Sequence, residues 1–171
     1  MNLEEAVAFL ESQVGDPNLG LPDQVFHLIS RLTPLVNVDL LIMDQDGRIL
    51  LTWREDNDFR PGWHFPGGII RVRETAAQRL AKVASLELKT MVKAEETALQ
   101  VTEFHYPDLP SRHHFISLLY RCRLLAPPGI APYAGGVPQP GQYAWFAEPP
   151  PDLLEPHWKY QKHWRRRGAG D

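Results

Sequence analysis

Several stretches of the chain hold residue types that could do chemistry. The fullest is PGGIIRVRETAAQRLAKVASLEL, residues 66–88. A double glycine, Gly67-Gly68, approaches a helical segment whose first turn carries Glu74, and Glu87 lies one residue before its end. A glycine turn lets backbone groups approach a ligand closely, and a helix presents side chains rigidly toward the same place. Magnesium sites commonly combine one or two carboxylates with substrate phosphates, so these parts suit a metal–diphosphate site. The plain alternative for Glu87 is a solvated position on an amphipathic helix. For Glu74 it is a carboxylate favoured by the helix dipole. Asp39 lies inside an apolar run. Burying a carboxylate is costly unless it is paired or hydrogen-bonded, and the exposed face of an edge strand is its alternative. Arg54 ends a strand beside Glu55 and Asp56, a setting for a surface ion pair. His105, His113 and His114 sit around a loop and a strand start. A zinc centre is excluded: there is one cysteine and no paired-ligand spacing among the histidines. That cysteine, Cys122, lies in an apolar strand and reads as an inert core thiol. Trp53, Trp63 and Trp145 read as core.

These residues need elements to position them. Residues 2–14 form an amphipathic helix, with Asn2 and Glu5 spaced as a capping box and Leu3, Ala6, Val7, Leu10 and Val14 at helical spacing. A second helix starts at Pro22 and ends before Pro34. Residues 35–43 read as a buried strand, Asp44-Gln45-Asp46-Gly47 as a hairpin turn, and 48–53 as the returning strand. WHFPGG at 63–68 is a strand end running into a glycine turn. Residues 74–88 are helical, 98–105, 114–124 and 143–146 are strands, 127–141 is a proline- and glycine-rich loop, and 152–164 is a closing helix. Strands before and after one central helix predict an α+β fold. Residues 1–33 are expected to be an N-terminal helical extension, 34–164 the main domain, and the basic tail 165–171 disordered.

The bulk composition narrows the class. The 171 residues amount to about one domain. Hydrophobic residues at 43% and charged residues at 23% are ordinary globular values, which excludes wholesale disorder or a coiled-coil rod. A net charge of −3 argues against a nucleic-acid surface. No run of about 18 apolar residues exists, and Glu4 and Glu5 stand where a signal peptide carries positive charge. A cytoplasmic protein with no membrane partner is expected.

With those residues in view, the chain resembles the Nudix hydrolases, whose box reads GX5EX7REUXEEXGU. Gly68, Glu74 and Glu87 match, and Lys82 keeps the charge of the box arginine. Val83 and Leu86 stand where two metal-binding carboxylates are usual, and Lys89 where the late glycine is. TPLVNVDLLI at 33–42, LLTWR at 50–54 and GWHFPGG at 62–68 resemble the GDP-mannose mannosyl hydrolase branch, which also lacks those two carboxylates. The resemblance spans about residues 31–164. It implies a Nudix α/β/α sandwich with mixed sheets and a Mg²⁺-dependent hydrolase, with Mn²⁺ as an alternative cofactor. The substrate would be a nucleoside diphosphate linked to another group, at best a nucleotide sugar such as GDP-mannose, yielding GDP and free sugar.

The resemblance also implies roles. The carbonyl of Gly67 or Gly68, the Glu87 carboxylate and the Gln139 amide would hold the metal. Arg54 would contact the diphosphate, and Asp39 would face the leaving sugar. Lys82 would pair with Glu74 or reach phosphate. His105 would stand near the leaving phosphate, and His157 matches a histidine of the branch's C-terminal helix. Two departures bear on catalysis. Pro140 replaces the histidine that serves as general base, and Ile69 replaces an arginine. Losing a general base typically costs about 10²–10⁴-fold, or roughly 3–5 kcal/mol of barrier. His113, His114 and His157 are the substitutes to place. Attack at phosphorus and a catalytically silent, nucleotide-sugar-binding domain are the alternative readings. A homodimer is compatible with the resemblance.

Overall fold

The structure is a computed structural model and describes residues 2–55, 60–108 and 114–164. His113 and the basic tail lie outside the described residues. Two helices come first, α1 (Leu3–Gln13) and α2 (Asp23–Leu32). The capping box forms as expected: the Asn2 side chain accepts from the Glu5 amide at 2.8 Å and Glu5 accepts from the Asn2 amide at 2.9 Å. The apolar stripe of α1 is not buried, and Leu3, Val7 and Phe9 are exposed. Pro22 sits at the N-cap position of α2, one place before the first helical residue.

Among the described residues, eight strands follow: β1 (Leu35–Ile42), β2 (Ile49–Arg54), β3 (Gly62–His64), β4 (Gly67–Ile69), β5 (Val92–Ala94), β6 (Gln100–His105), β7 (His114–Leu124) and β8 (Tyr143–Phe146). Helix α3 (Ala76–Glu87) lies between β4 and β5, and a 3₁₀ helix, Glu155–Trp164, closes the chain. One sheet runs β4-β1-β7-β5, with β6 also paired to β7; the other runs β3-β2-β8. The pair β1–β7 is parallel and the rest are antiparallel, so the first sheet is mixed. The α+β expectation is met.

Four local expectations are corrected. The turn at 44–47 forms, with the Gly47 amide donating to the Asp44 carbonyl at 3.1 Å and Gly47 at φ +78°. Its two strands do not form a hairpin, however. After the single bridge Met43–Ile49 they diverge into different sheets. Gly67-Gly68 is a strand, not a turn, and Gly67 is needed for space. A Cβ there would collide with the Asp39 carboxylate and come within 2.8 Å of the Val38 carbonyl. Glu74 precedes the helix instead of lying in its first turn. Thr75 is the N-cap, and its side chain accepts from the Gln78 amide at 3.2 Å. The closing helix is 3₁₀, and β5 was not anticipated.

Alternation along β1 divides the core. Val38, Leu40 and Ile42 face α3, where Leu80, Val83, Ala84 and Leu88 cover them. Leu41 faces the other cluster, with Trp53, Trp63, Phe65, Leu119, Tyr160 and Trp164. Successive strand residues point to opposite faces, so Asn37 and Asp39 share the face of Leu41. Burial first, then the charge of Glu95, pushes the Cys122 thiol up to about 12, which keeps it an unreactive core group.

Candidate active site

A cleft of about 780 Å³ opens beside β1, β2, β3 and β4. Asp39 and Asn37 of β1, Arg54 of β2, His64 of β3, Gly67 and Gly68 of β4, and Glu87 at the end of α3 line it. So does His157 of the 3₁₀ helix. Gly20, Leu21, Asp23 and Phe26 of the N-terminal segment form part of its wall.

Asp39 is 3% exposed. Ser117 Oγ and Tyr160 Oη donate to its Oδ2 at 2.5 and 2.7 Å, and Asn37 Nδ2 donates to Oδ1 at 2.9 Å. Ser117 and Asn37 are cross-strand partners on β7 and β1, so sheet register builds this cradle. Burial still raises the Asp39 pKa above its ordinary value, against the pull of the three donors. The edge-strand alternative does not hold, since β1 lies between β4 and β7.

His64 and His157 sit side by side, ring centroids 6.1 Å apart. The Phe65 amide donates to His157 Nδ1 at 2.9 Å. Its hydrogen, in the neutral ring, is therefore on Nε2. Burial, followed by the repulsion that a protonated His64 would add and by the charge of Arg54, holds its pKa well below the usual histidine value. His157 is thus a neutral donor rather than a base.

Glu74 has a different environment. Its side chain is 3% exposed and holds Arg79 Nη2 at 2.6 Å and Lys82 Nζ at 2.9 Å. Arg79 Nε donates to it at 2.7 Å and the Arg71 amide at 3.0 Å. Burial raises its pKa, but the hydrogen bonds from Lys82, Arg71 and Arg79 outweigh that and hold it at about 2. Glu87 has one ionic contact among the described residues: its Oε2 lies 3.5 Å from His64 Nε2. Arg73 and Lys89, on either side of this glutamate pair, take left-handed backbone angles at φ +61° and +51°.

The structure therefore gathers Asp39, Arg54, Gly68, Glu87 and His157 at one cleft. It does not gather the other three expected site residues there. Lys82 is spent on Glu74. His105 is exposed at the end of β6, its ring against His114, and does not line the cleft. Gln139 is exposed, and its side-chain nitrogen donates to the Val137 carbonyl at 3.3 Å; its neighbours Pro140 and Gly141 reach the cleft instead. His114 pairs with Glu103 at 2.9 Å. Sequence reasoning missed His64 and Arg79. The signal for His64 was alternation, which sends it opposite to Trp63 and Phe65. The signal for Arg79 was its place one turn before Lys82 on α3.

Among the described residues, no three or more His, Cys, Asp or Glu side chains are grouped to hold a metal. The donor set still fits a divalent cation. Glu87 is a cleft carboxylate without a Lys or Arg partner among the described residues, and the glycine strand β4 lines the same cleft.

A mixed sheet and an antiparallel sheet with helices packed outside them, and a cleft whose rim is a glycine strand and the end of one helix, define an α/β/α sandwich with a cleft lined by charged side chains. The NUDIX domain family model matches residues 33–163, and the chain belongs to the Nudix hydrolases. The low-salt glycan biosynthesis protein Agl8 of Haloferax volcanii is 37% identical over 84 residues, 49% of this chain and 53% of Agl8. The chain thus spans about half the length of this curated relative. The MutT NUDIX hydrolase of Burkholderia pseudomallei has a similar structure, with a TM-score of 0.59 at 20% identity, covering 77% of this chain and 98% of that one. A UDP-X diphosphatase matches at a TM-score of 0.57 and 18% identity, covering 95% of this chain and 89% of that one. At these identities the likeness is one of fold. No helix among the described residues is long and apolar enough to cross a membrane.

Proposed function

We propose that the protein is a Mg²⁺-dependent hydrolase, with Mn²⁺ as an alternative ion, of a nucleotide sugar such as GDP-mannose, releasing GDP and the free sugar. The observation that carries this is the division of labour among carboxylates. One box carboxylate, Glu87, reaches the cleft, and of the other acids that line it, Asp23, Asp39 and Glu55, Asp39 alone is buried. Val83 is buried in the core and packs on Gly68, and Leu86 is 62% exposed, so neither position adds a ligand. Attack at the anomeric carbon needs fewer metal-binding carboxylates than attack at phosphorus. The relationship to a protein named for glycan biosynthesis supports a sugar-bearing substrate.

Glu87 and a carbonyl of Gly67 or Gly68 would hold the cation. When bound it neutralises charge on the departing diphosphate. Arg54 would fix the diphosphate. Asp39, its oxygens already oriented by Ser117, Tyr160 and Asn37, would face the sugar and stabilise positive charge developing at the anomeric carbon. His157 Nε2–H would donate to a substrate oxygen. The substrate pocket includes the N-terminal segment through Asp23 and Phe26.

One observation favours a second reading. Pro140 lines the cleft and has no basic side chain, and Gln139 is turned into its own loop. A domain that binds a nucleotide sugar without turning it over would look like this. Incubation with Mg²⁺ and GDP-mannose, followed by ³¹P NMR, separates the readings. GDP with free mannose is the expected result. GMP with mannose 1-phosphate would transfer the reaction to phosphorus. Metal-dependent binding without any product would select the silent domain.

A further inference from the structure

His64 is a buried cleft residue that the function above does not use. It is buried on β3, opposite Thr52 of β2 in the ladder. Its Nδ1 lies 2.8 Å from the Thr52 carbonyl oxygen. A carbonyl only accepts, so Nδ1 carries the hydrogen and Nε2 of the neutral ring presents a lone pair. That lone pair faces Glu87 Oε2 at 3.5 Å. The Thr52 hydroxyl is also 3.5 Å from Nε2, a long contact for an O–H donor, so the neutral ring leaves two acceptor atoms facing each other at the edge of the cleft with no close donor between them. A proton bridges them poorly, because charge-assisted N–H···O bonds are about 2.7–2.9 Å long. A divalent ion bridges them well. Two ligands each about 2.1 Å from one ion can stand this far apart. A ring nitrogen aimed by a hydrogen bond from its other nitrogen to a backbone carbonyl is also how metal-binding histidines are usually held.

We propose that His64 Nε2 joins Glu87 as a second side-chain ligand of the divalent cation in this cleft, and that this nitrogen tilts the site toward Mn²⁺ and away from Mg²⁺. Mn²⁺, a first-row transition ion, accepts one imidazole beside oxygen ligands more readily than Mg²⁺, which demands a near-octahedral oxygen shell. The inference rests on the metal role of Glu87 proposed above.

The test is pulsed EPR of Mn²⁺ bound to the full chain, with affinities from Mn²⁺ titration and Mg²⁺ competition. Wild-type protein should show ¹⁴N coupling to Mn²⁺. His64→Phe and His64→Gln should each lose that coupling and weaken Mn²⁺ at least about tenfold, with a smaller change for Mg²⁺. The Gln variant keeps a polar side chain beside Thr52 should the Phe variant fold poorly. Mn²⁺ bound without ¹⁴N coupling, and lost in Glu87→Gln, would overturn the His64 assignment and leave Glu87 standing. Mn²⁺ binding unchanged in Glu87→Gln, or absent from wild type, would overturn both.

Discussion

Glu74 and Glu87 flank the same helix and carry the same side chain, yet their surroundings are opposite. Glu74 is enclosed by Arg79, Lys82 and the Arg71 amide, and its carboxyl is held at about 2. Glu87 faces a cleft and, among the described residues, one histidine nitrogen 3.5 Å away. A carboxylate already supplied with cations is part of the scaffold. One left short of positive charge beside a substrate-sized cleft is where an incoming cation gains most. On the proposed reading, the contrast lets a degenerate box retain a site, since each surviving glutamate would keep one of two separable jobs.

Substitution at the two positions should break this contrast in different ways. Glu87→Gln should lower kcat by at least ~10³-fold, about 4 kcal/mol of barrier, with the urea midpoint unchanged. Comparable turnover would place the metal elsewhere. Glu74→Gln should do the reverse. Removing one partner from a buried ion pair strands Arg79 and costs about 3 kcal/mol of folding stability, while kcat measured on the folded fraction changes little. Gly67→Ala forces a methyl group against Asp39 and the Val38 carbonyl and should cost roughly 1–3 kcal/mol, as overpacking does. Asp39→Asn should lower kcat while leaving stability within about 1.5 kcal/mol, because removing a buried charge offsets the weakened hydrogen bonds. The buried cluster around Glu74 should also make the fold acid-sensitive. Glu74 titrates near 4.5 ordinarily and at about 2 when folded, so its contribution is complete above pH 4.5 and is lost as pH falls toward 2. Urea melts across that range should show the loss in wild type and a flatter limb in Glu74→Gln.

Much of the fold was legible in the chain. β1 and β7 are long and apolar, α3 has a capped start and a buried face, and the turn at 44–47 has the right chemistry. The sheet assignment of β2 was not legible, because turn residues dictate a local reversal but not whether the strands stay paired. β5 has three residues, too few for alternation to register. The glycine pair reads in the sequence as a turn that brings backbone close to a ligand, whereas the demand on Gly67 is the room taken by Asp39. In the site, Asp39, Arg54, Gly68, Glu87 and His157 were identified from motif position and converge on the cleft. Their cradle was hidden, since Ser117 and Tyr160 come from distant segments joined only by tertiary packing. His64 escaped notice because its meaning lies in the register of β2 with β3 and in the reach of Glu87 from the end of α3. Gln139 and His105 sit at matching sequence positions, but loop and strand geometry send them elsewhere.

The central claim is that this cleft, with one box carboxylate and a buried Asp39, hydrolyses a nucleotide sugar at carbon. Hydrolysis of GDP-mannose in H₂¹⁸O, with mass spectrometry of both products, tests it most directly. The account predicts ¹⁸O in the released sugar and unlabelled GDP. Label in a phosphate product would contradict it.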